Sequence, residues 1–409
     1  MNKQLATLNR NNMRNEIDTN SIFVVYSGTA PKRSADQQYL FAVNRNFYYL
    51  TGIQEENVRL LMYKGQEILF IEPADELYEK WVGKKLTKEK AEELSGISDV
   101  RYVDDFNEFL INLTKDIKKV YLDLENDQFN NHISYSQNLE IELLELDEEI
   151  DVFDSYPLFT KLRQVKSEVE VDNFRKAIDI TNEGLLNILK NIKPGVKESY
   201  YQADFDYILR RHNVEHSFQS IFASGVNGTV LHYVTNNEIA NDGDLVLIDL
   251  GATYNLYCAD ITRTYPVNGK FTERQKQIYN IVLKAQDAML EHTKEGVTLG
   301  QLNDKVKEYY SRELKAIGLI STDEEVSKYY YHNVSHLIGL DTHDVGRSPD
   351  AVLKAGSIIS CEPGLYIKEE GIGIRIEDDI LVTKDGYVNL SSHIIKSVED
   401  IEKYIEDNR

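Results

Sequence analysis

Cysteine is scarce in this chain, since only Cys258 and Cys361 among 409 residues carry thiols. Two cysteines cannot form the disulfide framework of a small secreted protein, and we expect both to be small buried hydrophobes in a reducing compartment. The first residues lack the apolar core of a signal peptide, and no run of about 18 apolar residues occurs. We therefore expect a cytoplasmic protein that does not enter a membrane.

Positive charge is also in short supply. The chain has 46 lysine and arginine residues against 68 aspartate and glutamate residues, and its formal net charge is -22. A nucleic-acid or anionic-membrane binder needs clustered lysine and arginine, so this balance excludes both as general partners. The apolar fraction of 42% suffices for large cores, and the length predicts two to three domains.

The first part of the chain is predicted to form an α/β domain. Apolar, β-branched runs predict strands at residues 21–26, 58–63, 67–71, 100–103 and 120–124. Helices are predicted at residues 76–82, 88–94 and 106–114. The composition then turns polar and acidic over residues 126–156, which indicates a boundary between an N-terminal domain, 1–153, and a second domain, 154–409.

The second domain is predicted to have an α+β pattern that occurs twice. Capping-box sequences and apolar periodicity predict helices at residues 168–192, 198–211, 272–292 and 298–318. Strand-like segments cover residues 217–223, 230–233, 245–250, 358–366 and 373–382. The order helix, helix, strands is thus repeated, and we expect each half to contribute part of one sheet that helices cover on one side.

Two aspartates stand out in the first half of this domain. Asp249 ends the apolar run 245–248, and Asp260 follows eleven residues later, beyond the turn formers Tyr254 and Asn255. A β-hairpin would bring both carboxylates to one place. Carboxylates that converge on an apolar sheet need a raised pKa or metal ions. The alternative is two ordinary surface aspartates.

Three of the nine histidines lie close together in the second half, at His332, His336 and His343. If the segment is helical, His332 and His336 share one face and resemble a two-histidine zinc site. That motif has a glutamate after its first histidine, whereas Asn333 stands here, so we do not predict a thermolysin-like protease. A structural role for each histidine remains the alternative.

Two glutamates complete a candidate ligand set. Glu362 precedes Pro363 at the end of an apolar strand, and strand alternation places Arg375, Glu377 and Asp379 on one face. Asp249, Asp260, Glu362 and Glu377 with one histidine would carry four negative charges, which two divalent cations balance. Manganese, cobalt or zinc suits such an oxygen-rich set, and a metal pair supports hydrolysis of an amide or ester through a bridging hydroxide.

These residues resemble a known family, the pita-bread metallopeptidases, whose members include methionine aminopeptidase, prolidase, aminopeptidase P and the non-peptidase creatinase. The five-ligand pattern is matched by Asp249, Asp260, His336, Glu362 and Glu377. The chain resembles the bacterial aminopeptidase P branch in residues 46–52, 231–233, 242–249, 260–269, 332–346, 362–366 and 371–379. The resemblance implies a C-terminal pita-bread domain behind an N-terminal α/β domain.

The resemblance implies a role for each metal ligand. Asp249 would chelate one metal ion through both oxygens, and Asp260 with Glu377 would bridge the two ions. His336 and Glu362 would complete the shell of the other ion. Glu362 would also act as the general base and acid for the bridging water.

Four further residues receive roles from the same resemblance. His343 would bind the scissile carbonyl or its developing oxyanion. His232 would lie near the proline side of the bond, and His332 near the carboxyl end of the substrate or the outer shell of the metals. Arg375 would form ion pairs around the bridging carboxylates.

The implied reaction is removal of an N-terminal residue that precedes proline, by attack of the hydroxide that bridges the metals. Manganese is the expected ion, with cobalt or zinc as alternatives. The substrates would be peptides with proline at the second position. The chain would also bind copies of itself to form a dimer or tetramer. Prolidase, restricted to dipeptides, is the near alternative. A creatinase-like hydrolase and a non-catalytic binding protein are the others, and the five intact ligands argue against both.

Two features depart from the aminopeptidase P pattern, one at Asn333 and the other in the loop of residues 346–356, which is shorter than expected. Asn333 stands where the family commonly has glycine, and Ala355 where proline is usual. Arg347 is a candidate for an arginine that the family uses near its substrate. These departures concern specificity more than the ligand set.

Overall fold

The computed structural model describes residues 3–125, 133–346 and 348–408, so Arg347 lies outside the described residues. The chain forms two compact units, Met1–Leu162 and Arg163–Arg409. This division falls within a helix, Tyr156–Gln164, which the sequence analysis did not predict. The predicted boundary between residues 153 and 154 therefore lies just before this helix, whereas the division between the two units lies near the end of the helix.

The first unit mixes helices and strands. Its helices are α1 (Lys3–Glu16), α2 (Arg45–Thr51), α3 (Glu76–Val82), α4 (Lys88–Ser95), α5 (Phe106–Thr114), α6 (Tyr135–Leu146) and α7 (Tyr156–Gln164). Its strands are β1 (Ser21–Tyr26), β2 (Lys32–Ser34), β3 (Gln37–Gln38), β4 (Arg59–Tyr63), β5 (Gln66–Ile71), β6 (Asp99–Tyr102), β7 (Lys119–Leu122) and β8 (Asp151–Asp154).

One mixed sheet organises this unit, in the order β6-β5-β4-β1-β7-β8. β1, β4 and β5 pair antiparallel, whereas β6, β7 and β8 join in parallel. The alternating apolar residues of β1, β5 and β7 are buried against Phe106 and Leu110 of α5 and Leu139 of α6. The predicted α/β domain is confirmed in its strand and helix content.

The second unit begins with two helices and repeats the pattern. Its helices are α8 (Glu168–Asn191), α9 (Glu198–His212), α10 (Glu273–Leu290), α11 (Leu299–Ala316) and α12 (Val398–Asp407). Its strands are β9 (Val196–Lys197), β10 (Ile221–Ser224), β11 (Ile239–Ala240), β12 (Leu245–Leu250), β13 (Thr253–Tyr254), β14 (Tyr257–Cys258), β15 (Ile261–Pro266), β16 (Ile358–Cys361), β17 (Gly364–Ile367), β18 (Ile372–Arg375), β19 (Asp378–Val382) and β20 (Tyr387–Asn389).

The predicted repeat of two helices followed by strands is confirmed. α8 packs on α9 before the sheet β10-β12-β15, and α10 packs on α11 before the sheet β16-β19-β20 and the pair β17-β18. The halves meet where β18 and β19 lie beside β15. None of the helices in the described part of the chain is long and apolar enough to span a membrane.

Three local predictions were wrong. Residues 230–233 form no strand, and Leu231 and His232 among them line a cavity. The segment 332–336 is extended and not helical, since the carbonyls of Val334 and His336 accept from the N–H groups of Glu362 and Ser360 at 3.0 Å each. The long strands 358–366 and 373–382 are each broken, at Glu362 and at Glu377.

Candidate active site

The predicted hairpin brings two carboxylates together. β12 pairs antiparallel with β15, Asp249 faces Thr262 in that register, and Asp260 directly precedes β15. A smaller hairpin, β13 with β14, closes the turn, where Asn255 and Leu256 take positive φ values of 49° and 63°. Both predicted aspartates are buried, at 8% and 4% exposure, so the surface alternative is wrong.

The strand breaks explain how the glutamates reach the same place. The backbone N–H of Glu377 leaves its own strand and donates to Thr262 O at 3.0 Å, and Thr262 Oγ1 donates to Glu377 Oε2 at 2.7 Å. Pro363 follows Glu362 at the other break and has no N–H to continue a ladder. Each break therefore places a carboxylate at the end of a strand.

His336 lies among these carboxylates. Its Nε2 is 3.4 Å from both Asp260 Oδ2 and Glu362 Oε1. Its Nδ1 is 3.1 Å from Leu337 O, and a carbonyl can only accept, so Nδ1 carries a proton and Nε2 is the nitrogen that the neutral ring would offer to a metal ion. One ligand atom each from Asp260, His336 and Glu377 lies within 4.8 Å of the others.

Burial of so many acidic groups perturbs their protonation. Burial, with Asp249 and Glu362 nearby, raises the pKa of Asp260 to about 7. Burial and the same crowding raise the pKa of Glu377 well above its usual value. Burial alone would lower the pKa of His336, but Asp260 and Glu362 raise it to about 9. The cluster binds protons because the positive charge of Arg375 beside Asp249 does not balance four carboxylates.

Divalent cations fit this cluster better than protons do. Oδ1 of Asp249 is buried and has no hydrogen-bond partner among the described residues, so it offers a coordinating oxygen. The donor set of carboxylate oxygens with one imidazole nitrogen suits manganese, cobalt or zinc. Divalent ions that displaced these protons would offset the electrostatic cost of burying the ionised carboxylates.

Arg375 joins this cluster to a chain of hydrogen bonds that the sequence analysis did not predict. It donates from Nη2 to Asp249 Oδ2 at 2.6 Å, from Nε to Thr262 Oγ1 at 3.0 Å and from Nη1 to the hydroxyl of Tyr366 at 3.1 Å. The Tyr366 hydroxyl is 2.8 Å from His332 Nε2. Because His332 Nδ1 is used for Asn333 O at 2.7 Å, Tyr366 donates to Nε2.

The other two histidines sit on loops. The ring of His343 is 4.3 Å from that of His336, and the following residue, Asp344, is fixed by Arg163 at 2.5 Å and Lys166 at 3.1 Å. His232 follows a 3-10 turn, Gly225–Thr229, and is exposed. Arg163 and Lys166 were not predicted as site residues, because they belong to none of the motifs recognised in the sequence.

The nine predicted site residues all line one cavity of about 640 Å³. They are Asp249, Asp260, Glu362, Glu377, His232, His332, His336, His343 and Arg375. Phe218, Ile221, Leu231, Val234 and Leu299 supply apolar walls. Cys258 and Cys361 are buried free thiols outside that lining, in agreement with their predicted role as small hydrophobes.

Comparison with known proteins gives this cavity a context. The sequence profile described as "Metallopeptidase family M24" matches residues 172–384, more than half of the chain. The chain belongs to metallopeptidase family M24. The second unit is therefore a pita-bread domain, and the protein is a hydrolase of a family that implies divalent metal ions. A profile described as "Aminopeptidase P, N-terminal domain" matches residues 6–121 in the first unit.

Full-length relatives of this M24 chain are also known. Xaa-Pro aminopeptidase from Haemophilus influenzae is 32% identical, with 95% of this chain and 94% of the relative covered. A Bacillus anthracis protein, proposed to be an aminopeptidase P, is 45% identical with a TM-score of 0.98. Zinc-substituted Escherichia coli aminopeptidase P with product is 30% identical with a TM-score of 0.93. In both structures, 100% of this chain and 99% of the other are covered.

Proposed function

We propose that this protein is an Xaa-Pro aminopeptidase, which hydrolyses the peptide bond between an N-terminal residue and proline. The observation that carries the proposal is the convergence of four carboxylates and four histidines on one cavity. Relatives named Xaa-Pro aminopeptidase resemble the chain over nearly its whole length, which supports the same activity here. The five ligands would hold two divalent ions, with manganese the expected metal and cobalt or zinc the alternatives.

In this proposal the ligand residues bind as a set. Asp249 would chelate one ion, Asp260 and Glu377 would be shared by both, and His336 with Glu362 would hold the second. Ions bound there would lower the pKa of a water molecule and polarise the scissile carbonyl. Arg375 keeps Asp249 oriented, since its guanidinium binds that carboxylate and Thr262 at the same time.

The protein's own groups would handle the protons. Glu362 would take the proton of the attacking water and transfer it to the leaving prolyl nitrogen, which cannot depart as an anion. Its carboxylate is held at Oε1 by the Ser360 hydroxyl at 3.1 Å, and Oε2, 3.9 Å from His332 Nδ1, would make the transfer. His343 would donate to the carbonyl oxygen as negative charge develops there.

The remaining histidines would position the substrate. His232 extends from an exposed loop toward the cavity, and His332 is held by Tyr366 on the same side as Arg375. His232 would contact the proline side of the bond, and His332 would lie near the carboxyl end of the substrate or the outer shell of the metals. The apolar wall beside them suits a pyrrolidine ring. Ordinary aminopeptidases handle this bond poorly because proline fixes φ and lacks an N–H group.

We also propose a homo-oligomer, a dimer or tetramer, in the cytoplasm. α3 carries three exposed apolar side chains, with Leu77 at 68%, Trp81 at 83% and Val82 at 60% exposure. Such patches commonly mark protein interaction sites. Light scattering after size exclusion would measure the mass, and a monomer at all concentrations would contradict this part of the proposal.

Substrate length tests the proposed activity against prolidase. Purified protein with Mn²⁺ should be assayed on Xaa-Pro-Yaa tripeptides and longer peptides beside an Xaa-Pro dipeptide. Cleavage of the tripeptide and longer peptides supports an aminopeptidase, whereas cleavage of the dipeptide alone moves the assignment to a dipeptidase. No cleavage of any of them with Mn²⁺, Co²⁺ or Zn²⁺ contradicts the proposed function.

A further inference from the structure

One wall of the cavity is a segment without helix or strand pairing. Residues 230–238 connect the 3-10 turn Gly225–Thr229 to β11 and contribute Leu231, His232 and Val234 to the lining. The imidazole of His232 makes no hydrogen bond to any residue in the described part of the chain. Its position therefore depends on the backbone that carries it.

The beginning of the segment is fixed by close packing. A Cβ on Gly373 would lie 2.0 Å from the carbonyl oxygen of Gly228, so the two backbones are in direct contact. The hydroxyl of Tyr331 donates to Thr229 O at 2.5 Å. Beyond Thr229, the side chains of Leu231 and Tyr233 pack on an apolar cluster that includes Ile221 and Tyr366, and polar contacts add to this packing.

A buried carboxylate on α9 makes these polar contacts. Glu198, the first residue of α9, is fully buried. Its Oε1 accepts hydrogen bonds from Ser224 N at 2.7 Å, from Ser224 Oγ at 2.6 Å and from Asn227 Nδ2 at 3.3 Å. Its Oε2 accepts from the Tyr233 hydroxyl at 2.9 Å and from Glu238 N at 3.0 Å. One oxygen thus holds the turn that precedes the segment, and the other holds Tyr233 and the end of the segment.

We propose that Glu198 is a positioning residue that sets the place of His232 in the cavity. The expected effect on peptide hydrolysis rests on the proposed function. The expected effect on the position of His232 rests on the geometry alone. Hydrogen bonds to a carboxylate are shorter and stronger than neutral ones, and five of them converge here without a charged donor. Tyr233, which directly follows His232, transmits the constraint.

The isosteric variant Glu198→Gln removes this function with little change in shape. All five partners of the carboxylate donate to it. Two of them are backbone N–H groups that can only donate, Ser224 N–H at Oε1 and Glu238 N–H at Oε2. The amide NH₂ of a glutamine would face one of them, so the segment must shift. Asp204→Asn is the matched control, because Asp204 lies on the same helix and binds Asn191 at 3.0 Å, away from the segment.

Kinetics on an Xaa-Pro-Yaa tripeptide test the role. We expect Glu198→Gln to raise KM about tenfold with kcat within about twofold, as for loss of an interaction made equally in ground and transition states. His232→Ala should raise KM similarly, and the double variant should be no worse than either single variant, because both changes remove one contact. Manganese affinity should stay unchanged. Multiplicative effects in the double variant, or equal losses of kcat and manganese affinity, would overturn the proposal.

A measurement that needs no activity separates this inference from the proposed function. In ¹⁵N-histidine-labelled protein, the His232 imidazole signal is the one missing from His232→Ala. We expect Glu198→Gln to shift that signal and to leave the signal of the distant His292 in place, while Asp204→Asn shifts neither. An unmoved His232 signal in a folded Glu198→Gln variant would overturn the proposal, even if the wild-type protein cleaves Xaa-Pro peptides as proposed.

Discussion

Arg375 and Asp249 form a buried ion pair, in which Nη2 of the arginine is 2.6 Å from Oδ2 of the aspartate. The pair leaves Oδ1 of Asp249 without a hydrogen-bond partner among the described residues. The guanidinium therefore fixes the carboxylate from one side and directs its other oxygen toward the carboxylate cluster. Lysine could not do this, since its single ammonium cannot bind Asp249, Thr262 and Tyr366 in one plane.

Arg375→Lys is expected to weaken manganese binding by about 10- to 100-fold, the usual cost of losing a partner that orients a metal ligand. The charge is retained, so the fold should persist by circular dichroism. Titration of stripped protein with chelator-buffered Mn²⁺ measures the affinity. Arg312→Lys, in an exposed pair with Glu313, is the control, and equal affinity in both variants would contradict the role of Arg375.

Glu362→Gln is expected to abolish turnover, because an amide cannot take a proton from water or return it to the leaving nitrogen. The side chain keeps its shape, and the thermal midpoint of the metal-free variant should not fall. Initial rates on an Xaa-Pro-Yaa tripeptide with saturating Mn²⁺ make the comparison. Glu369→Gln, in the exposed turn after β17, should be fully active. A Glu362→Gln enzyme near the wild-type rate would remove Glu362 from the site.

Asp344→Asn is expected to destabilise the protein by about 3–5 kcal/mol, because the buried Lys166 would lose this counter-charge and the buried Arg163 would be left with its pair to the more exposed Asp341. Burial raises the pKa of Asp344, but the two cations outweigh burial and lower it. The stability that Asp344 supplies is thus present above its unfolded pKa and is lost as the pH falls through its lower folded value. Urea unfolding at pH 7 measures the difference. Asp172→Asn, in an exposed pair, should cost less than about 1 kcal/mol, and equal losses would contradict the account.

Metal-free protein is expected to lose stability as the pH rises from about 4 to about 7. Burial raises the pKa of Asp260 from 3.8 to about 7, so over this range the folded chain binds a proton that the unfolded chain has released. The stability from this proton is complete below 3.8 and is lost as the pH rises through about 7. Urea unfolding of chelator-stripped protein at pH 5 and pH 8 measures it.

Bound Mn²⁺ should reverse that slope, because ions compete with protons for the carboxylates and bind more tightly as the pH rises. Asp260→Asn removes the proton-binding group and should flatten the pH dependence of the metal-free protein. If the stripped wild-type protein is more stable at pH 8 than at pH 5, the claim that burial and crowding raise the pKa of Asp260 is contradicted.

Much of the fold could be predicted because local patterns agreed with it. The capping boxes at Ser167, Thr272 and Thr298 are present, and the hairpin between Asp249 and Asp260 follows from an apolar run and a turn. The local predictions that were wrong depended on contacts between segments that are distant in the sequence. The spacing of His332 and His336 suits a helix, but their segment accepts hydrogen bonds from Ser360 in β16 and from Glu362, and no local pattern reveals partners so far along the chain.

The supporting residues of the site were also beyond local patterns. Tyr366 lies between His332 and Arg375, and its hydroxyl occupies space that a Cβ on Gly364 would take, at 2.4 Å. Glu198 opens a helix as many glutamates do, and only the folded chain shows its five donors. Ligand-type residues at strand ends could be recognised, whereas residues that orient them depend on contacts between remote segments.

The most direct test of the central claim is the product analysis of an Xaa-Pro-Yaa tripeptide during titration of chelator-stripped protein with Mn²⁺. Mass spectrometry identifies the products, and metal content is measured on the same samples. The account predicts free Xaa and intact Pro-Yaa, at a rate that rises with bound Mn²⁺ and saturates at about two ions per chain, as a paired site requires. Cleavage that does not depend on metal, cleavage after proline, or no cleavage at saturating Mn²⁺ would contradict it.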